Sequence, residues 1–138
     1  MTEIELKKHN LIQLIKEHAV LYGDFTIKSG AKSSYYIDLR RLTLHSEGLQ
    51  AVAGCIETRL RHEGVQWDAV AGPSIGADPI IGALVCQSAG MLGFMVRSEA
   101  KSHGAGKRVE GQTDKIAGRK IVVVEDVITS GGSVLTAA

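Results

Sequence analysis

Hydrophobic and polar positions at the start of the chain predict a helix followed by two short strands. Apolar and aromatic residues recur at helical spacing from Ile4 to Tyr22, with Lys and Glu between them. This pattern predicts an amphipathic helix over residues 3 to about 22, ended by Gly23. Two β-prone runs then flank a segment rich in Ser and Gly, and they predict a hairpin or a pair of crossed strands at residues 25–28 and 35–39.

The rest of the chain has the pattern of an α/β fold. Ser46 is predicted to cap a helix that ends near Gly64, and another helix is predicted from about Asp78 to Ala89. Three strands are predicted at residues 67–71, 93–97 and 120–124. The third run is apolar on both faces, which is typical of a central parallel strand. Strands alternating with helices predict a parallel sheet with helices on both faces.

One long segment, residues 98–118, has few apolar residues and contains several glycines. A segment of that length without a core-facing pattern is uncommon in a compact domain. We therefore expect it to be a functional or mobile loop.

Composition narrows the class of protein. The chain has 138 residues, of which 44% are hydrophobic and 22% are charged, as expected for one globular domain. Its net charge of +1 argues against a surface built to bind nucleic acid or an anionic membrane. No signal peptide opens the chain, and no apolar run approaches the roughly 20 residues of a membrane span. Cys55 and Cys86 are too few for a disulfide framework, so we expect buried thiols in a cytoplasmic protein.

The candidate chemistry lies just after the third predicted strand. Glu125 and Asp126 follow four apolar residues at the strand's carboxyl end, where ligands bind in open α/β sheets. Residues 129–133 are all small and open a helix, so their amides are exposed to bind phosphate. Carboxylates accept hydrogen bonds from sugar hydroxyls, and the combination therefore predicts a ribose 5-phosphate site. An ordinary βα turn is the alternative, but paired acids at this point have no packing role.

Three ordered segments resemble one enzyme family. Residues 122–133 resemble the phosphoribosyl-diphosphate (PRPP) signature of the type I phosphoribosyltransferases. Residues 25–38, in which Lys-Ser-Gly precedes an aromatic-rich strand, resemble the N-terminal hood of the orotate phosphoribosyltransferases. Residues 97–104 resemble that family's catalytic loop, with its Lys-x-His-Gly pattern.

The resemblance implies a fold and a domain organisation. The expected fold is the α/β type I phosphoribosyltransferase fold, a parallel sheet with helices on both faces and a small N-terminal hood. We expect a single domain over residues 1–138, with the hood at about 1–45 and the PRPP-binding core at about 46–138. Family members continue through further strands, so the end at Ala138 predicts that C-terminal strands are missing.

The resemblance also implies a reaction, a cofactor and an assembly. The phosphoribosyl group of PRPP would pass to orotate, giving orotidine 5′-phosphate and pyrophosphate in de novo pyrimidine (UMP) biosynthesis. Mg²⁺ would be bound mainly through PRPP and pyrophosphate, without a dedicated metal site in the protein. A homodimer is implied, in which the loop of residues 97–108 serves the neighbouring subunit's active site.

The family motifs assign roles to particular residues. Lys101 and His103 are the expected catalytic residues, with Lys101 as the cation at the departing pyrophosphate. The residues expected to contact orotate are Tyr36, Ile37 and Thr129. The residues expected to bind PRPP are Lys28, Arg97, Lys101, His103, Glu125, Asp126, Val127, Ile128, Thr129, Ser130, Gly131, Gly132 and Ser133. The turn at residues 72–76 matches the family's loop that receives pyrophosphate through backbone amides.

Some departures from the family pattern leave alternatives open. Ser98 stands where many members carry a lysine, with Lys107 or Arg108 as candidate substitutes. The arginine that pairs with the orotate carboxylate in the family has no motif match in this chain. The alternatives are a type I transferase for another base, a PRPP-binding sensor, and an inactive fragment of the same fold.

Overall fold

The computed structural model describes residues 1–27, 29–99 and 106–138. The helices are α1 (Glu3–His18), α2 (Arg40–Thr43), α3 (Ser46–His62), α4 (Asp78–Gln87), α5 (Gly132–Ala137) and a 3-10 helix (Thr113–Lys115). The strands are β1 (Val20–Thr26), β2 (Lys32–Ile37), β3 (Ala69–Pro73), β4 (Leu92–Val96), β5 (Val109–Glu110) and β6 (Ile121–Val123). No helix in these residues is both long enough and apolar enough to cross a membrane.

Helix α1 ends earlier than its hydrophobic periodicity predicts. The Ala19 amide caps it by donating to the Ile15 carbonyl at 2.9 Å, and the chain then extends into β1. Tyr22 lies in that strand and is 83% exposed, so its assignment to the amphipathic helix was wrong. The residues after Ala19 are β-branched, apolar or aromatic, and such residues favour a strand once a helix has been capped.

Strands β1 and β2 form an antiparallel ribbon, which confirms the predicted hairpin. Val20 lies opposite Ile37, and Thr26 lies opposite Lys32. Both strands are longer than the predicted runs. The Asp38 amide donates to the Ala19 carbonyl at 2.9 Å, and this bond ties the end of β2 to the end of α1.

The main sheet has the strand order β5-β4-β3-β6. Strand β3 pairs in parallel with β4, where Ala69 faces Leu92, and with β6, where Ala69 faces Ile121. The three predicted strands are therefore parallel, each within about two residues of its predicted bounds. However, β6 lies at the edge of the described sheet and not at its centre, and Ile121 is 37% exposed.

The described part of the segment 98–118 contains structure that the sequence did not predict. Strand β5 pairs antiparallel with β4, and Val109 packs against the buried ring of Phe94. Gly111 follows with φ at +120°, and a side chain there would meet the Gly93 carbonyl at 2.6 Å. A strand of two residues is too short to leave a periodic signal in the sequence.

The principal core lies between the main sheet and helices α3 and α4. Its buried members are Ala53, Val70, Ala77, Ile80, Ile81, Leu84 and Val124, and Trp67 packs against them as expected. A second cluster, formed by Leu14, Ala19 and Leu42, joins α1 and α2 to α3.

Two local predictions were wrong. His45, without a side-chain hydrogen bond, is the residue that caps α3, and Ser46 is the first residue of the helix. Cys86 is exposed near the end of α4 and Cys55 is half-buried, so these thiols are not both buried in the core.

Candidate active site

Two adjoining cavities open where the parallel strands end. The first, of about 390 Å³, is called the Arg97 cavity and is lined by Pro73, Ser74, Gly76, Val96, Arg97, Ser98, Arg108, Glu125, Asp126, Ser133, Thr136 and Ala137. The second, of about 480 Å³, is called the Tyr36 cavity and is lined by Tyr36, Ile37, Asp38, Leu39, Arg40, Ser74, Ile75, Gly76, Asp126 and Val127. This is the end of an open α/β sheet at which ligands bind.

Asp126 stands at the junction of the two cavities, which share it with Ser74 and Gly76. A Cβ atom at Gly76 would overlap the Asp126 carboxylate. Glycine at this position therefore allows the carboxylate to adopt its observed position. The Ser74 hydroxyl donates to Asp78 Oδ1 at 2.8 Å, which anchors the turn to the start of α4. A ligand that spans both cavities would therefore pass the Asp126 carboxylate.

Glu125 is held by the helix that follows it. The Ser133 hydroxyl in α5 donates to Glu125 Oε1 at 2.7 Å. The other oxygen, Oε2, is buried and accepts no hydrogen bond within the described chain. A buried acceptor without a donor costs free energy, so this oxygen favours a ligand that brings a hydroxyl or a cation.

Two loops at this edge offer backbone amides. In the described chain, the amides of Ile75 and Gly76 donate to no protein group, and neither do those of residues 127–131. Gly131, with φ at +80°, turns the second loop into α5. The peptide bond between Ser74 and Ile75 is cis. Unsatisfied amides that lie together at a loop form a concave site for an anion such as phosphate.

Arg97 and Arg108 bring positive charge to the first cavity. Arg97 Nε donates to Glu110 Oε1 at 3.0 Å, and the Arg108 guanidinium donates twice to the Arg97 carbonyl, each at 3.3 Å. Arg108 lines the same cavity as Ser98, whereas Lys107 does not line it. Of the two candidate substitutes for a lysine at position 98, Arg108 is therefore the one that lines the Arg97 cavity.

The Tyr36 cavity contains an ion pair, Asp38 with Arg40, that the sequence analysis did not identify. Arg40 Nε donates to Asp38 Oδ1 at 3.0 Å, and the Arg40 amide donates to the same oxygen at 3.2 Å. The hydrogen bond to Asp38 raises the pKa of Arg40 above its usual range, with smaller contributions from the charges of Asp38, Tyr36 and Asp126. The pattern Asp-x-Arg directly after the aromatic strand is the signal that could have identified this pair.

Comparisons with known proteins identify the family. Residues 39–138 match the model of the phosphoribosyl transferase domain. The orotate phosphoribosyltransferase of Rhodopirellula baltica is 45% identical over 135 residues, which cover 92% of this chain and 69% of that protein. The chain belongs to the orotate phosphoribosyltransferase family. This confirms the resemblance carried by the three sequence motifs and the fold that it implies.

Solved structures of orotate phosphoribosyltransferases support the same family assignment. The Mycobacterium tuberculosis enzyme in complex with Fe(III) dicitrate aligns with a TM-score of 0.80 and 32% identity, covering 95% of this chain and 73% of that one. The same enzyme in complex with PRPP aligns with a TM-score of 0.76 and 30% identity, covering 95% and 71% of the two chains. The present chain thus spans about 70% of the length of these orotate phosphoribosyltransferases.

The predicted site residues fall into three groups. Arg97, Glu125, Asp126 and Ser133 line the Arg97 cavity, whereas Tyr36, Ile37 and Val127 line the Tyr36 cavity. Ile128, Thr129, Ser130, Gly131 and Gly132 lie on the connecting loop and at the start of α5 and line neither cavity. Lys28, Lys101 and His103 lie outside the described residues. Thr136 and Ala137 also line the Arg97 cavity, although the sequence analysis gave them no role; the same holds for the ion pair of Asp38 and Arg40 in the Tyr36 cavity.

Proposed function

We propose that this chain transfers the phosphoribosyl group of PRPP to orotate, giving orotidine 5′-phosphate and pyrophosphate in pyrimidine biosynthesis. Family membership supports the assignment, and one structural observation carries it. Two cavities meet at Asp126: two arginines and Glu125 line one, whereas the other combines Tyr36 and Ile37 with the charged pair of Asp38 and Arg40. This arrangement suits a reaction that joins a phosphorylated sugar to a planar base.

PRPP occupies the Arg97 cavity in this proposal. Glu125 and Asp126 accept hydrogen bonds from the ribose hydroxyls, and Glu125 Oε2 supplies a free acceptor. The amides of residues 127–131 together with the Ser130 hydroxyl bind the 5′-phosphate. Ser133, whose hydroxyl donates to Glu125, holds that carboxylate at the ribose. The amides of Ile75 and Gly76 bind the diphosphate, with Arg97 and Arg108 nearby.

Orotate occupies the Tyr36 cavity. Tyr36 is 42% exposed and Ile37 is 41% exposed, so the ribbon offers both side chains to a ligand. Val127 adds an apolar side chain to the lining of this cavity, which Asp126 also lines. Thr129, on the loop between β6 and α5, is proposed to contact orotate because it matches a family position with that role.

The proposed catalytic residues stabilise the leaving group, pyrophosphate. N1 of orotate bonds to C1 of the ribose while the bond from C1 to the diphosphate oxygen breaks, and the N1 proton passes to the departing pyrophosphate. Lys101 and His103, assigned from the family loop motif, neutralise charge on the departing pyrophosphate, and Lys28 adds a further cation. A loop that covers the site excludes water that would otherwise hydrolyse PRPP.

The residues present suit a magnesium ion carried by the substrate. Mg²⁺ prefers oxygen ligands and commonly binds through one or two carboxylates, phosphates and water. Glu125 and Asp126 are adjacent carboxylates on the cavity wall, and Glu125 Oε2 accepts no hydrogen bond within the described residues. When bound with PRPP, the ion would neutralise charge on the diphosphate.

We also propose a cytoplasmic homodimer in which residues 97–108 complete the neighbouring subunit's site. In a mixed dimer, Lys101→Ala and Asp126→Asn then fall in the same site, which leaves the other site with both residues intact. Mixing the two inactive variants should restore up to about a quarter of the wild-type activity, by random pairing of subunits. No recovery after unfolding and refolding the variants together would contradict loop exchange between subunits.

The decisive experiment follows the absorbance of orotate when PRPP and Mg²⁺ are added to this chain. Loss of absorbance that depends on both substrates, and that is abolished in Asp126→Asn, supports the proposal. Turnover of adenine or hypoxanthine without turnover of orotate would assign the site to a purine transferase. Tight PRPP binding without turnover of any base would favour a sensor or an inactive fragment.

A further inference from the structure

We propose that Glu110 is a positioning residue, which orients the Arg97 guanidinium to bind the diphosphate of PRPP. The inference rests on the proposed function, because it concerns the anionic end of the Arg97 cavity. Glu110 lies outside the three segments whose motifs assign the other site residues. It belongs to β5, the short strand that the sequence did not predict.

An ion pair joins the two residues across neighbouring strands. Arg97 Nε donates to Glu110 Oε1 at 3.0 Å. Arg97 directly follows β4, and Glu110 ends β5, where it lies opposite Met95. The Arg97 amide also donates to the Arg108 carbonyl at 2.8 Å. Backbone pairing therefore places the carboxylate within reach of the guanidinium.

The backbone that carries Glu110 is anchored by its neighbours in β5 and the following turn. Val109 packs against the ring of Phe94, which is 1% exposed. After Glu110, the chain passes so close to β4 that a Cβ atom at Gly111 would lie 2.6 Å from the Gly93 carbonyl. Successive residues of a strand point to opposite faces, so Glu110 is directed away from the face that Val109 buries.

The carboxylate holds the guanidinium from outside the cavity. Arg97 lines the Arg97 cavity, whereas Glu110 lines neither cavity. Within the described residues, Nη1 and Nη2 of Arg97 have no partner, and the side chain is 44% exposed. The planar fork of an arginine suits two oxygens of a phosphate group. Because its Nε is already held, Arg97 loses less conformational freedom when an anion binds.

The sign of the effect distinguishes positioning from simple electrostatics. A negative charge close to a diphosphate repels it, so electrostatics alone predicts that removal of Glu110 strengthens anion binding. Positioning predicts weaker binding, because Arg97 must then be ordered by the ligand. The pair is partly exposed, at 44% and 30%, and such pairs contribute little to stability. Thermal unfolding should therefore change little when Glu110 is replaced.

The test is titration calorimetry with inorganic pyrophosphate and Mg²⁺, in which no turnover occurs. Glu110→Ala should raise the Kd about 2- to 10-fold, the cost of ordering one long side chain. Glu110→Gln should stay closer to wild type, because its amide oxygen still accepts from Arg97 Nε. Asp114→Asn is the control for charge, since it alters an exposed acid of the 3-10 helix that lines neither cavity, and it should bind as wild type does.

A second background tests whether Glu110 acts through Arg97. In Arg97→Gln, the further change Glu110→Ala should not raise the Kd again, because the side chain that Glu110 positions is gone. An equal rise in both backgrounds would indicate a general structural role and overturn the inference. So would unchanged or tighter binding in Glu110→Ala, equal effects of Ala and Gln, or no binding of pyrophosphate by the wild type.

The outcome is separable from that of the proposed function. Pyrophosphate binding with the expected dependence on Glu110 and Arg97, but without turnover of orotate, would reject the enzyme activity and retain the role of Glu110. Turnover of orotate by a chain whose Glu110→Ala variant binds pyrophosphate as tightly as wild type would do the reverse.

Discussion

The Ser133 hydroxyl donates a 2.7 Å hydrogen bond to Glu125 Oε1, so the start of α5 fixes the carboxylate that follows β6. This bond uses one carboxylate oxygen and leaves the other, Oε2, buried without a donor. The strand end and the helix start thus form one unit, in which a serine orients the acid and the acid presents a single free acceptor.

Replacing Glu125 by Gln should weaken PRPP binding with little change in stability. The amide oxygen of Gln still accepts from Ser133, but an NH₂ group replaces the free acceptor and cannot receive a ribose hydroxyl. We expect about a 10- to 100-fold rise in the Kd for PRPP, measured by titration calorimetry, since the lost bond involves a charged group. Glu47→Gln, at the exposed start of α3, is the control and should bind as wild type does. An unchanged Kd in Glu125→Gln would remove Glu125 from the proposed ribose site.

Gly76→Ala should abolish activity because the new Cβ atom overlaps the Asp126 carboxylate. Either the turn or Asp126 must move, and both cavities lose their shared wall. Gly82→Ala is the matched control, since a Cβ atom at that position in α4 meets nothing within 4 Å. The measurement is turnover of orotate together with thermal unfolding. Full activity in a folded Gly76→Ala variant would show that the position of Asp126 is not critical.

Lys101→Ala should lower turnover by orders of magnitude while PRPP still binds. The expectation comes from the family loop motif, in which this cation stabilises charge that develops on the leaving group. A group that acts mainly in the transition state lowers kcat more than it raises KM. Lys115→Ala, which removes an exposed lysine outside residues 97–108 that lines neither cavity, is the control. Equal turnover in the two variants would make the loop assignment wrong.

The sequence predicted those parts of the site whose chemistry is local in the chain. Glu125, Asp126 and Ser133 lie within one strand–loop–helix segment, so their types and spacing were enough to indicate a phosphate and ribose site. Asp38 and Arg40 have the composition of an ordinary solvated turn. They line a cavity only because the fold brings the ribbon beside the turn at Gly76.

The sequence also predicted the parallel strands of the fold. Two predictions failed where the deciding interaction leaves no local signal in the sequence. Parallel pairing of β3, β4 and β6 follows from strands separated by helical or long connections. Tyr22 was assigned to the wrong element because Ala19 ends α1 through backbone bonds that leave no side-chain signal. Cys86 lies near the end of α4 beyond the buried stripe, and the apolar character of its neighbours concealed its exposure.

Two glycines of α3 should respond to alanine in opposite directions. A Cβ atom at Gly48 would overlap the Leu42 carbonyl and lie 2.6 Å from Leu42 Cδ1, so Gly48→Ala forces α2 away from α3. We expect a loss of about 1–3 kcal/mol in the free energy of unfolding, the usual range for overpacking. A Cβ atom at Gly54 meets nothing within 4 Å, and Gly54→Ala should gain about 0.5–1 kcal/mol because alanine favours a helix. Urea denaturation of both variants measures the difference, and the same sign for both would contradict the packing between α2 and α3.

Glu3 should make stability depend on pH in the acidic range. Its carboxylate contacts Lys7 in α1 at 3.0 Å and Arg61 in α3 at 3.2 Å, and the hydrogen bond and charge of Lys7 are the main reason that the pKa of Glu3 is lowered.

Because the folded pKa lies below the ordinary value of 4.5, the ionised carboxylate stabilises the folded state at neutral pH. That contribution begins to fall as the pH drops below 4.5, and it is lost once the pH passes the lowered folded pKa. Glu3→Gln lacks it at every pH. The free energies of unfolding of wild type and Glu3→Gln should therefore differ at pH 7 and converge in acid, and added salt should reduce the difference because the pairs are exposed. A difference that stays constant from pH 7 to below the folded pKa would mean that the carboxylate charge does not join α1 to α3.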